Sequence, residues 1–220
     1  QQPLYDQLFV ATRGLDAVLR DATLRPIAAT RLPGFRCPSD DGAYENTDRR
    51  FTNTEYGNLA ASKASYIGVT GSRWTTANQW RNNARDPFGI FWADGTTQLA
   101  DIVDGTSSTF LVGERKSKDL SAVWIGVRNF NGTGDVGLRM NAGIVDVPPN
   151  AISPLGNGGF SSNHRGGAQF AFADCHVDFI ADTIQFDATG SDTNDPAIVA
   201  LTGIYQRLGR KNDGQPAGSW

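Results

Sequence analysis

The clearest hydrophobic alternation in this chain comes late, in residues 159–181, GFSSNHRGGAQFAFADCHVDFIA. Phe170 and Phe172 alternate with Ala171 and Ala173, and Val177 and Phe179 flank Asp178, a period of two that predicts a β-hairpin with one aromatic, buried face. Asp174 and Cys175 fall where the arms reverse, predicting a tight two-residue turn. Such turns favour Asp-Gly because the second residue takes positive φ, so Cys175 is a local misfit that something else has to fix. The preceding SSNHRGG is turn-forming and puts His164 on a loop.

Helical spacing dominates the start. Leu4, Leu8 and Phe9, then Leu15, Val18, Leu19 and Ala22, predict a helix over residues 3–31 in two pieces broken near Gly14, with Pro26 and Pro33 ending the pattern. Residues 35–64 are rich in Pro, Asp, Asn and Gly and read as an irregular loop anchored by Cys37, with Asp40, Asp41 and Asp48 as solvated turn carboxylates. Strands are predicted at 65–70, 88–93, 109–114 and 122–128, with a helical turn at 98–103. Asp195 and Pro196 open a final helix whose stripe of Ile198, Leu201, Ile204, Tyr205 and Leu208 ends at Gly209. The expectation is one α+β domain: a helical segment (1–34) packed on an antiparallel sheet with insertions (65–181), a loop between them (35–64), and a C-terminal helix and tail (182–220).

Composition narrows the function. With 12 Phe, 5 Trp and 5 Tyr among 220 residues there is ample core material, and 25 Gly point to many turns. A net charge of −3 without a basic run gives no electrostatic footprint for nucleic acid or an anionic membrane. The chain has no apolar run of the ~18 residues that a membrane span needs, and its opening QQPLYDQLF is not a signal peptide. A chain opening on Gln1 is expected to have lost something upstream. Cys37 and Cys175 form either one disulfide or two free thiols; their loop settings favour the disulfide, which would mean export.

Candidate chemistry is sparse. Asp101, Asp104, Thr106, Ser107 and Ser108 gather oxygens that suit a hard cation such as calcium or, the favoured reading, a self-capped turn. Trp74 and Trp80 in a polar insert suit sugar stacking or the cover of a satellite core. Glu114, ending an apolar strand, is expected to pair with an arginine such as Arg165. Asn131-Gly132-Thr133 matches a glycan acceptor triplet. There is no GxSxG, phosphate-binding loop, dinucleotide fingerprint or HExxH, and two histidines leave little for a zinc cluster.

Taken together, PLYDQ (3–7), FRCPSD (35–40), SYIGVTG (65–71), GIF (89–91), IVDGTSSTFLVGE (102–114), SSNHRGGAQFAFAD (161–174) and LTGIYQRLGRKNDG (201–214) resemble, in order, the segments of a family of exported prepilin-like proteins abundant in planctomycete bacteria. Its signature is His, nine residues, then Asp-Gly; here His164 and Asp174 keep that spacing, and Cys175 replaces the glycine. The resemblance implies a pilin-like globular head, related to type IV pilins and type II secretion pseudopilins, whose long apolar helix and processing signal would lie upstream of Gln1. It also implies that the Asp-Cys turn is held differently, with Cys37 as partner of Cys175. His164 is then expected to pin its loop to the hairpin and Asp174 to cap the turn, with no cofactor and no catalytic residue. The leading expectation is a non-enzymatic, extracellular or cell-surface structural subunit that associates with itself or with related subunits. The alternative is a secreted module binding glycan or calcium, and a hydrolase using His164 ranks third.

Overall fold

In the computed structural model, a strand-rich middle follows short helices, because Gly and Pro punctuate the chain too often for long helices to propagate. The structure describes residues 2–8, 14–48, 50–53, 57–72, 88–92, 95–119, 122–126, 141–152, 159–187 and 200–220. Helices α1 (Gln2–Leu8) and α2 (Leu15–Arg20) confirm the two-piece reading, with Gly14 at the N-cap of α2. Pro26 and Pro33 do not end helices but start 3-10 turns, Arg25–Ala29 and Pro33–Phe35, where a missing N–H costs nothing.

Nine strands follow in the described residues: β1 (Phe51–Asn53), β2 (Gly57–Leu59), β3 (Lys63–Ala64), β4 (Tyr66–Val69), β5 (Phe110–Glu114), β6 (Ala122–Val123), β7 (Ala142–Gly143), β8 (Gly167–Phe172) and β9 (Val177–Ala181). A short helix, α3 (Ile204–Leu208), lies near the end. The main sheet has the order β7-β4-β5-β8-β9, antiparallel except for the β4–β7 pair. The class is therefore α+β, with few helices. β1–β2 and β3–β6 are separate two-stranded ladders.

The core rests on one face of β5 and β8. Phe110 stacks on Phe170 at 4.3 Å, Phe172 tilts against Phe110 at 5.0 Å, and Phe160 and Tyr205 complete the cluster; all five are buried. Gly113, opposite Phe170, makes room for it, since a Cβ there would lie 2.5 Å from the rings of both Phe160 and Phe170. Each buried phenylalanine is worth roughly 1.5–3 kcal/mol relative to exposure, so these rings contribute several kcal/mol of apolar burial.

Several expectations need correction. The region 35–64 is not wholly irregular, because it contains the β1–β2 hairpin and β3. Residues 88–92 form bends rather than a strand, although Phe91 N–H bonds Val69 O and Gly89 N–H bonds Thr70 O alongside β4. Of the predicted 122–128 strand, β6 is extended and residues 124–125 form a turn, while 127 and 128 lie outside the described residues. Of the predicted final helix, only α3 is helical in the described part; Asp195, Pro196 and Ile198 lie outside the described residues, as do Trp74, Trp80 and Asn131. The turn at 98–103 is present as a 3-10 turn, Leu99–Asp101.

The hairpin itself is right in place and wrong in register. Its loop holds three residues, Ala173 to Cys175, so Ala171 pairs with Val177 and Phe170 with Asp178. A two-residue turn would have set Phe172 opposite Val177. The one-residue difference sends Val177 and Phe179 to the opposite face, where they are 63% and 40% exposed, while Ile180 turns into the core. Cys175 takes φ 71°, as the sequence predicts for the end of this reversal.

Cys37 and Cys175 are not joined: both are free thiols, the first buried and the second exposed. Cys37 lies by His164, just before β8, whereas Cys175 lies just past the other end of that strand. Six strand residues separate the two ends, roughly 20 Å and far beyond disulfide reach.

Left-handed backbone costs a residue bearing a Cβ roughly 1–2 kcal/mol, and glycine returns about half of that as extra freedom of the unfolded chain. Cys175→Gly is therefore expected to raise stability by about 0.5–1 kcal/mol, read as a higher urea midpoint at unchanged slope. A lower midpoint would show that the Cys175 side chain holds the turn.

Candidate functional site

Cys37, Glu114 and His164 come from three distant segments and meet at one point. Glu114 ends β5, and the chain beyond it continues to bond the 159–162 segment: Ser161 N–H to Glu114 O at 2.9 Å, Lys116 N–H to Ser161 O at 3.0 Å. That pairing carries His164 to the end of β5. Its Nε2 lies 3.4 Å from Glu114 Oε1 and 3.4 Å from Cys37 Sγ, and the three donor atoms lie within 4.8 Å of one another. Glu114 thus faces His164, not Arg165 as its position after an apolar strand suggested.

A buried ionic clamp sets the thiol. Cys37 heads a turn closed by Asp40 N–H to Cys37 O at 2.9 Å. The Asp40 carboxylate accepts the Ser65 and Ser117 hydroxyls, both at 2.8 Å, and pairs with Arg36 Nη1 at 3.3 Å. Arg36 in turn donates to the carbonyls of Asp40 and Gly42 and to Ser117 Oγ. Burial alone would raise the Asp40 pKa; the two hydroxyls and the Arg36 charge outweigh it and hold the carboxyl below its ordinary value. Asp40 is thus a structural hub, not the solvated loop carboxylate its setting suggested.

Further bonds fix the other two partners. Glu114 Oε2 accepts the Gln169 N–H at 2.8 Å, which aims Oε1 at the imidazole. Asn163 Nδ2 donates to Ser39 O at 2.8 Å, lacing the His164 loop to the Cys37 turn, and Ser162 Oγ accepts the His164 N–H at 3.0 Å. Burial and the adjacent Glu114 push the Cys37 thiol up, against the Ser39 N–H and hydroxyl, which pull it down. Burial, with Cys37 and Glu114 nearby, also raises Tyr66.

Chemically, this is not a nucleophilic relay. A relay needs the thiol on one ring nitrogen and the carboxylate on the other, whereas both approach Nε2 here. A raised thiol pKa also works against a resting thiolate. A thiol, an imidazole and a carboxylate converging on one point are instead a candidate metal-ligand set.

The other predicted residues serve local structure. Asp174 accepts the His176 N–H at 3.1 Å and its ring Nδ1 at 2.6 Å, so it caps the turn as expected, with those bonds lowering its pKa. It does not meet His164, which lies at the other end of β8. Asp101 accepts the Gln98 N–H, and Asp104 accepts those of Asp213 and Gly214 at 2.7 and 2.9 Å, so both carboxylates complete turns. Thr106 offers its carbonyl to the Asp174 N–H, and Ser107 lies in the 3-10 turn Thr106–Ser108. Sequence reasoning missed the convergence on Nε2; the only hint was that Cys37, Glu114 and His164 each lie in a segment carrying the family resemblance.

Two outcomes follow from these charges. Asp40→Ala strands buried Arg36 and is expected to cost about 3 kcal/mol in urea unfolding and to speed labelling of Cys37 by a thiol reagent. Unchanged stability and labelling would remove Asp40 from this role. Asp213 is raised from 3.8 to about 6, first by burial and then by Asp104. A raised folded pKa means that stability present below the unfolded pKa is lost as pH climbs through the folded one. Asp213→Asn should therefore gain about 1–2 kcal/mol on the parent between about pH 4 and about pH 7, allowing for partial solvent screening. Equal pH profiles in thermal melts would refute that assignment.

No curated protein and no solved structure matches the chain. A family model does match, over residues 1–187, and its description is a protein of unknown function, DUF1559. The chain belongs to that DUF1559 family.

Proposed function

We propose that this chain is a non-enzymatic, exported structural subunit: a pilin-like head that works in a pilus, pseudopilus or other cell-surface assembly. The observation that carries the reading is the outer strand of the main sheet. β9 has no further neighbour among the described residues, and Val177 and Phe179 stand exposed on the face away from the core. Natural sheets blunt such edges with charge, proline or cover, because free N–H and C=O groups recruit another strand. On β9 the Asp178 carboxylate accepts the Phe179 N–H and the Trp220 indole N–H, which caps part of that edge, so the feature that suits a neighbouring subunit is the exposed apolar face of Val177 and Phe179.

Supporting this, the Cys37, Glu114 and His164 arrangement lacks relay geometry, and Asp101 and Asp104 are engaged in turns. The latter weakens the calcium half of the alternative, a secreted glycan- or calcium-binding module. No helix among the described residues is long and apolar enough to cross a membrane.

Sedimentation of the purified chain over a wide concentration range, with electron microscopy of the concentrated fractions, tests the proposal. Self-association is expected, and the double variant Val177→Asp, Phe179→Asp should weaken it at least ~10-fold, since each buried large apolar side chain contributes ~1.5 kcal/mol or more. A monomer at every concentration, or association indifferent to the double variant, overturns it.

A further inference from the structure

We propose that Cys37, Glu114 and His164 bind a zinc-type divalent transition metal, leaving a fourth coordination position open beside His164. The first reason is convergence. Sγ and Oε1 approach the same Nε2, and all three donors lie within 4.8 Å of one another, so a single ion can touch all three.

The second reason is spacing. Zinc bonds sulfur at about 2.3 Å and nitrogen or oxygen at about 2.0–2.1 Å, which sets tetrahedral ligands about 3.3–3.6 Å apart. Both resolved separations are 3.4 Å. The same distance is long for a charge-assisted imidazole–carboxylate hydrogen bond, which closes to about 2.7–2.9 Å. The imidazole and the carboxylate are therefore spaced as two ligands of one ion are.

The third reason is the donor set. One sulfur, one nitrogen and one oxygen suit zinc or its neighbours and exclude calcium and magnesium, which require oxygen ligands throughout. With the thiol deprotonated, Cys37 and Glu114 supply two negative charges to balance the ion. The site is also supported from outside, as metal sites generally are. Gln169 N–H holds the far oxygen of Glu114, the Arg36–Asp40 pair holds the Cys37 turn, and Asn163 ties that turn to the histidine loop.

Access fits three protein ligands and one exchangeable one. Cys37 and Glu114 are buried, whereas the His164 side chain is 33% exposed, so the imidazole is the ligand at which the cluster meets solvent. Sites of this form place water or an external donor in the fourth position. The bound ion would clip the early loop to the start of β8, which the absent disulfide does not do.

Cobalt titration of the chelator-treated full chain, followed by absorbance, is the test. Expected are a saturable thiolate-to-cobalt charge-transfer band, the intense visible bands of tetrahedral cobalt, and displacement of both by zinc but not by calcium. Cys37→Ser should abolish the charge-transfer band, while Glu114→Gln, which keeps the sulfur, should retain it with at least ~10-fold weaker binding. Cys175→Ser should change nothing. The proposal is overturned if the wild-type chain gives no saturable charge-transfer band, if the band survives Cys37→Ser, or if it is lost with Cys175→Ser. Because the wild-type titration alone can refute it, a variant that fails to fold leaves the proposal exposed to test.

Discussion

The packing of Phe110 against Phe170 and Phe172 is the constraint on which the remaining structure depends. It holds β5 to β8 across a one-residue shift of register between Phe110 and Val112, and Gly113 is the residue that lets the two strands close around those rings. On either side of that bulge the pairing is strongly specified, because slipping a whole strand by one position exchanges its apolar and polar faces. That register then fixes where both strands end. Glu114 leaves β5 beside the loop that opens β8, and His164 arrives there through the 159–162 pairing.

Buried charge does for the early loop what the aromatic cluster does for the sheet. Arg36 and Asp40 are almost fully enclosed, and isolated ions there would be strongly unfavourable. Each satisfies the other while taking up hydroxyls and carbonyls from a segment otherwise rich in turns. The loop is ordered by hydrogen-bonded charge, and the role expected of a disulfide falls to this network. Cys37 is thereby left free, with its sulfur facing an imidazole and a carboxylate.

These two devices separate the outer edge of the molecule from its inner cluster. The hairpin extends the sheet to β9 and presents Val177 and Phe179 away from the core, the feature on which the proposed assembly role rests. The thiol, imidazole and carboxylate lie at the opposite end of β8, so edge association and ion binding involve different side chains. A structural subunit and a metal-clipped loop are compatible within one chain of the DUF1559 family.

Local pattern by itself determined the α+β class, the break at Gly14, the 3-10 turn at Leu99–Asp101, strands β4, β5 and β8, and the left-handed residue at Cys175. Each of these follows from periodicity or from a backbone preference that neighbouring residues express. Tertiary structure decided the rest. A loop of three residues in place of two moved Val177 and Phe179 out of the core and Ile180 into it, a difference invisible to an alternating pattern that reads equally well in either register. The meeting of Cys37 with His164, 127 positions apart, depends on buried charge and strand ends placed by long-range packing, and neither residue carries that information in its own neighbourhood.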